Sequence, residues 1–238
     1  MNTQHAIQTS LPLPRYGRAG RIIGKLQFRV RKLLGHCAYD TPALEHFDGR
    51  DILVLPTVFN PRALRSGRFF AAQLTAASLA NASSVLDMGT GSGVCALACA
   101  EHVQRVLAID INPAAVRCAR INALIHSLEH RIEARESDLF DAVGAERFDR
   151  ILFNPPFIRA NPRDARDHAW RGTDVIERFA SALARHLNPG GYALVLLSTF
   201  GDAPSFLSRF DAAWSVEHWA RRDFVNETLA IFKIQPRP

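Results

Sequence analysis

From residue 84 onward the sequence alternates short apolar runs with stretches of helical period, and this alternation constrains the fold more than any other feature. "SVLDMG" is a short apolar strand and "SGVCALACAEHV" a helix; "RVLAID" is the next strand, and "PAAVRCARINALIHSL" a helix opened by Pro113 in its first turn. A weaker strand lies around "RIEARESD" and a strong one at "FDRILFN". Asp174 followed by Glu177 fits an N-terminal cap with its reciprocal partner for the helix "VIERFASALARHL". Asn188-Pro189-Gly190-Gly191 ends that helix before the strand "YALVLLS". A helix around residues 203–213 and the strands "VEHWARRDF" and "ETLAIFKI" complete the pattern. Apolar strands alternating with helices predict an α/β fold, a doubly wound, mostly parallel seven-stranded sheet covered on both faces. The short turn between the last two strands makes the last one antiparallel.

Ahead of this region, "FDGRDILVLPTVFNPR" reads as a short hairpin or extended lead-in with Asp48-Gly49 as its turn. Residues 1–19 read as a tail, and "GRIIGKLQFRVRKLLG" as a basic amphipathic helix closed by Gly35. The expected organisation is a basic tail and helix over 1–46 and one α/β domain over 47–238. Residues 1–39 hold seven Lys/Arg and no Asp or Glu, against a net charge of +6 for the whole chain. Such a run suits phosphates, an acidic partner or a solvated face.

The longest apolar runs, "VCALACA" and "YALVLL", are too short to span a bilayer, and the N-terminus lacks the apolar stretch of a secretory signal. The expected location is therefore cytoplasmic. Cys37, Cys95, Cys99 and Cys118 form no CxxC pair and no cluster with histidine, so no metal site is expected.

The chemistry lies where strands end. "VLDMGTGSGV" follows the first strand and opens a helix, with Gly89, Gly91 and Gly93, interleaved by Thr90 and Ser92, allowing close approach of a ligand. The spacing is GxGxG rather than GxGxxG, and Asp87 just before it would repel a pyrophosphate but attract a cationic amino acid. The next strand ends in Asp110, followed by Ile111; a carboxylate there can accept both hydroxyls of a ribose. At "ESDLF", Asp138 can accept from an exocyclic amine and Leu139 can pack on an adenine face. Ribose, adenine and a cationic amino acid without a phosphate describe S-adenosylmethionine. Phe59, Asn60 and Pro61 are expected near the cofactor entrance, with Ser66 a further candidate contact.

Residues 84–157 resemble class I S-adenosylmethionine-dependent methyltransferases, through "VLDMGTGSG", "VLAIDIN" and the "NPPF" that follows the fourth strand. NPPF is similar to the motif of enzymes that methylate adenine N6, cytosine N4 or glutamine N5. "FDGRDILVLPTVFNPR" and "WRGTDVIERF" bring the chain nearest to the HemK-type protein glutamine methyltransferases. The chain departs from them at "RALRSGRFF", residues 62–70, where those enzymes usually carry an acidic "RPETE"-like stretch, and in having only one clear helix ahead of the hairpin. The resemblance implies a Rossmann-like methyltransferase fold, S-adenosylmethionine as cofactor, and methylation of a planar NH2 nitrogen. A protein glutamine is the favoured acceptor; adenine in RNA or DNA and a small metabolite are the alternatives.

Such a nitrogen is a poor nucleophile because its lone pair is delocalised. The Asn154 side-chain oxygen and the Pro155 carbonyl suit its two hydrogens, and can direct the lone pair toward the methyl group. Pro155 and Pro156 end the strand ladder and stiffen the loop, while Phe157 can stack on a planar amide or base.

Overall fold

The computed structural model describes residues 41–61, 65–156, 174–225 and 227–237, with the backbone alone at Phe47. The expected basic helix and Phe157 lie outside the described residues. A hairpin comes first: β1 (Ala43–Phe47) pairs antiparallel with β2 (Arg50–Val54) across Asp48-Gly49, where both φ angles are positive. Helix α1 (Arg65–Ala71) follows.

The main sheet then forms from β3 (Ser84–Met88), β4 (Arg105–Asp110), β5 (Ile132–Glu136), β6 (Phe148–Phe153), β7 (Leu187–Ser198), β8 (Trp214–Asp223) and β9 (Thr228–Pro236). Their spatial order is β5-β4-β3-β6-β7-β9-β8. The first five pair in parallel, and β9 runs antiparallel to both β7 and β8. The expected doubly wound sheet with an antiparallel last strand is thus observed. Helices α2 (Val94–Ala100), α3 (Pro113–Ile125), α4 (Val175–Leu183) and α5 (Ala203–Leu207) connect the strands.

The strands read as continuous apolar runs because both faces are covered. Successive side chains point to opposite faces, so Val85, Val106, Ala108 and Leu152 enter one core, with α1, α2 and α3. Leu86, Leu107, Ile109, Ile151 and Phe153 enter the other, with α4 and α5. Among the described residues no helix is long and apolar enough to cross a membrane.

Three local expectations are corrected. Asp174 stands at the N-cap position of α4 but its side chain makes no capping bond, and the Glu177 carboxylate instead accepts from Arg209 at 2.8 Å. Asn188–Gly191 does not separate helix from strand. It lies within β7, where the register jumps from Phe148↔Leu187 to Arg150↔Tyr192 and the Asn188 amide donates to Asp149 Oδ1 at 2.8 Å. The helix expected over 203–213 ends at Leu207.

The hairpin docks on α3 through Asn122, which is fully buried. Its Oδ1 accepts from Leu53 N–H at 2.8 Å, and its Nδ2 donates to Leu53 O at 2.7 Å and to Ser92 O at 2.8 Å. One side chain therefore ties the hairpin to the glycine turn after β3.

Candidate active site

The chain order reverses beside β3: it runs outward to β4 and β5, then returns to β6 on the other side. At such a switch the connections leave in opposite directions and open a crevice at the carboxyl ends of the strands. A cavity of about 310 Å³ lies there. Asp87, Gly89, Thr90, Gly91 and Ser92 line it from β3, and Asp110 and Ile111 from β4. Asp138 and Leu139 follow β5, Asn154, Pro155 and Pro156 follow β6, and Phe59 and Pro61 complete the lining from the segment after β2. Asn60 turns away and donates to Glu45 at 2.9 Å.

The glycine turn is built from both neighbouring strands. Gly93 is the N-cap of α2 and has no side chain to offer the first amides of that helix. Asp87 supplies the acceptor instead: its Oδ2 takes Ala96 N–H at 3.1 Å and the Thr90 hydroxyl at 2.7 Å. Burial pushes the Asp87 carboxyl up to about 6; the Thr90 and Ala96 donors oppose the rise, and the nearby Asp110 adds to it. Gly93 itself stands behind the cavity wall rather than on it. With φ at 83°, any Cβ there would lie 3.0 Å from Ala119 Cα, so the residue serves the packing of the turn against α3. Gly91 donates its N–H to Asp110 Oδ2 at 2.9 Å, which fixes the turn toward β4.

Asp110 Oδ1 accepts from Asn112 N–H at 2.9 Å. The Asn112 side chain then caps α3 by accepting from Ala114 N–H at 2.9 Å, and donates to Thr57 O at 3.1 Å. Thr57 has φ at 69°, rare for a β-branched residue, and lines the cavity. Leu139, also a lining residue, has φ at 51°. Its carbonyl accepts from the Ser137 hydroxyl at 2.8 Å, and Ser137 Oγ accepts in turn from Ala142 N–H at 3.0 Å. Asp138 Oδ2 accepts from Arg178 of α4 at 2.7 Å, and Arg178 also reaches Asp141 at 3.2 Å.

Asn154 leaves the tip of β6 half-buried. Its Nδ2 donates to the buried Ser66 Oγ at 3.3 Å. Its Oδ1 is buried and has no hydrogen-bond partner among the described residues. The Nδ2 donation to Ser66 Oγ fixes the amide's orientation, and Asn154 is among the residues that line the cavity.

Sequence reasoning placed the strand-end residues and missed the supports around them. Thr57, Asn112, Ser137 and Arg178 fall inside the stretches singled out in the sequence but carry no role there, although Asn112 ahead of Pro113 holds the pattern of a helix cap. Among the described residues no group of three or more His, Cys, Asp or Glu could hold a metal ion.

Residues 50–218 match the profile of the methyltransferase small domain. Among curated proteins, the chain is 36% identical over 182 residues to the release factor glutamine methyltransferase of Koribacter versatilis, covering 70% of this chain and 64% of that protein. It is 36% identical over 121 residues to the ribosomal protein uL3 glutamine methyltransferase of Bradyrhizobium diazoefficiens, covering 45% of this chain and 38% of that protein. The chain thus spans less than two thirds of the length of these curated relatives. Among solved structures, the 16S rRNA N2 G1207 methyltransferase of T. thermophilus superposes with a TM-score of 0.61 at 22% identity, over 82% of this chain and 50% of that one. The tRNA m1G37 methyltransferase of M. jannaschii gives 0.60 at 19%, over 83% and 55%. At such identities the likeness is one of fold.

Proposed function

The chain belongs to the methyltransferase small domain family, and from that premise we propose that it moves a methyl group from S-adenosylmethionine to a planar NH2 nitrogen, that of a protein glutamine side chain. The observation that carries the reading is the Asn154 oxygen, a buried acceptor with no partner among the described residues, at the head of a loop stiffened by two prolines. Leaving a buried acceptor unmade costs roughly 1–3 kcal/mol, which an N–H donor entering the cavity would recover. The glutamine acceptor is supported by two relatives named for glutamine methylation, in a release factor and in a ribosomal protein.

The residues present fit the cofactor. Asp110 is the acceptor for ribose hydroxyls, Asp138 for the exocyclic amine, and Leu139 and Ile111 supply apolar faces for the adenine. Asp87 supplies negative charge for the amino-acid end, and Gly89, Thr90, Gly91 and Ser92 let the backbone come close, with Phe59 and Pro61 completing the lining and Gly93 packing the turn from behind. When bound, S-adenosylmethionine supplies an electrophilic methyl carbon on a sulfonium centre.

The chain's own work is alignment. Asn154 Oδ1 and the Pro155 carbonyl accept the two N–H groups of the acceptor and turn its lone pair toward the methyl group. Pro156 holds the loop, and Phe157 is assigned the stacking face. Holding two reactants in line can supply on the order of 7–11 kcal/mol. The NPPF motif contains no strong general base, so the surplus proton on nitrogen leaves to solvent after transfer.

The test is transfer of label from S-adenosylmethionine into a cell extract, followed by nuclease or protease, with Asn154→Ala as control. Label released by protease and recovered as N5-methylglutamine is the expected result. Label lost to nuclease would replace glutamine with a nucleic-acid base, and label in the small-molecule fraction would replace it with a metabolite. Asn154→Ala should lower turnover about 10²- to 10³-fold, as removal of one positioned group does in other sites. Its affinity for S-adenosylhomocysteine should stay within about twofold, which calorimetry reads.

A further inference from the structure

A second groove, of about 580 Å³ and open to solvent, lies between the segment that joins β5 to β6 and α4 with the 3-10 turn Ala184–His186 that follows it. Among the described residues it shares only Leu139 and Arg178 with the cofactor cavity, and its charge has the opposite sign. The cofactor cavity sets Asp87, Asp110, Asp138 and Asp174 against Arg178. The groove sets Arg147, Arg178 and Arg185 against Asp141.

The carboxylates here are already engaged. Asp141 accepts from Arg178 at 3.2 Å, while Glu146, beside Arg147, accepts from Arg135 at 3.0 Å and pairs with Arg105. Arg147 and Arg185 are exposed and form no ion pair among the described residues. Arg147 donates one N–H to Leu187 O at 3.0 Å, which anchors it and leaves its other donors for a ligand; Arg185 has no hydrogen bond among the described residues. His186 lines the same groove although it is only 7% exposed. Its ring stacks on Phe140 with centroids 4.3 Å apart and planes 4° from parallel, and its Nδ1 lies 2.9 Å from Glu146 O. A carbonyl only accepts, so Nδ1 carries the proton and Nε2 is the ring nitrogen without a partner among the described residues.

Guanidinium forks take anionic oxygens through paired hydrogen bonds. The number of cations sets the class of anion. A carboxylate brings one charge to Arg147 and Arg185, whereas a phosphate monoester carries about −1.5 to −2 at pH 7 and three acceptor oxygens. The monoester balances both cations, and His186 Nε2 accepts from the P–OH of its monoanion.

We propose that this groove is a second ligand site, which binds the phosphate group of a small phosphorylated molecule through Arg147, Arg185 and His186. Leu139, Ala145 and Ala182 on its wall meet the carbon part of that molecule, and a volume of this size suits a ligand larger than the phosphate alone. The site does not depend on the identity of the methyl acceptor.

The probes are inorganic phosphate and phenyl phosphate, titrated by calorimetry at low ionic strength into the full chain saturated with S-adenosylhomocysteine. One equivalent of each should bind. Arg147→Glu with Arg185→Glu should weaken both at least about tenfold. Arg117→Glu with Arg222→Glu changes the net charge equally at exposed positions outside the groove, and should weaken them less than about twofold. His186→Asn keeps a donor for Glu146 O but lacks Nε2, and should cost about threefold. Affinity for S-adenosylhomocysteine should be unchanged in all three, which separates the groove from a general loss of structure. Equal losses in the two charge-reversed pairs, no binding by either probe, or binding seen only without S-adenosylhomocysteine would overturn the proposal. Tighter binding of dimethyl phosphate or of a phosphoserine peptide would also overturn it, by moving the ligand to a polynucleotide or a phosphoprotein.

Discussion

Asp87 and Asp149 stand on neighbouring strands of one sheet, at opposite ends, and are satisfied in opposite ways. Asp149, near the start of β6, receives the Asn188 amide at 2.8 Å, Ser83 N–H and hydroxyl at 2.8 and 2.9 Å, and Ser84 N–H and hydroxyl at 3.0 and 3.1 Å. Burial alone would raise its pKa, but these donors hold the carboxyl well below the usual carboxylate range. Asp87, near the end of β3, has two donors and is pushed up to about 6 by burial. The amino ends of the strands are knit for stability. The carboxyl ends keep a raised aspartate, two non-glycine residues at positive φ and an amide oxygen with no partner among the described residues around one cavity. Conformations of this kind cost of order 1–3 kcal/mol each and persist where the surroundings over-determine them. Stability and binding capacity are thus separated along the strands.

The largest expected effect is at the knit end. Asp149→Ala removes the common acceptor of four donors from Ser83 and Ser84 and of the Asn188 amide, and should cost about 2–3 kcal/mol in urea unfolding. Affinity for S-adenosylhomocysteine should not change. A loss of affinity as large as the loss of stability would break the separation.

Asp87→Asn should do the reverse. At pH 8 the folded chain holds a buried charge on a carboxyl that burial has pushed up to about 6, which costs roughly 2–3 kcal/mol. Asparagine keeps an acceptor for Thr90 and Ala96 without that charge. The unliganded variant should melt a few degrees higher, while S-adenosylhomocysteine, whose amino group is a cation, should bind about tenfold more weakly.

The same residue predicts two pH dependences of opposite sign. Because its pKa is higher in the folded state than in the unfolded, the stability that protonated Asp87 contributes is fully present below about pH 4. It is lost as pH rises through about 6. Cofactor affinity needs the ionised form, so it should fall as pH drops below about 6. Calorimetry and thermal melts between pH 5 and 8, with Asp87→Asn as the flat control, read both. Parallel trends would remove Asp87 from the cofactor's cation.

Much of this was legible because strand ends are marked in sequence. Asp87, Asp110 and Asn154 each close an apolar run just ahead of a glycine, proline or turn, and Asp138 follows a weaker strand, so period and punctuation placed them together. Apart from Ser137, whose partners are local, the supports were not legible because their partners lie far along the chain. Asn112 holds Thr57, 55 residues away; Asn122 holds Leu53, 69 away; Arg178 holds Asp138, 40 away. The Asp174–Glu177 cap failed for the same reason, since Arg209 on another element takes Glu177 at 2.8 Å. Local pattern cannot weigh a tertiary partner against a local one.

Arg178 sharpens the comparison at its finest scale. It occupies Asp138 Oδ2, which on the proposed reading leaves Oδ1 for an exocyclic amine, and by reaching Asp141 it spans the turn that holds Leu139 at positive φ. On the proposed cofactor reading it is a positioning residue, acting through Asp138. Arg178→Met should weaken S-adenosylhomocysteine about three- to fivefold, in keeping with a partly exposed ion pair. A purely structural role would weaken every ligand alike. Positioning predicts instead that Arg178→Met narrows the preference for adenosine over inosine, whose oxygen cannot donate to Asp138, and competition binding reads that ratio directly. An unchanged ratio would reduce Arg178 to a surface tie between α4 and the turn after β5.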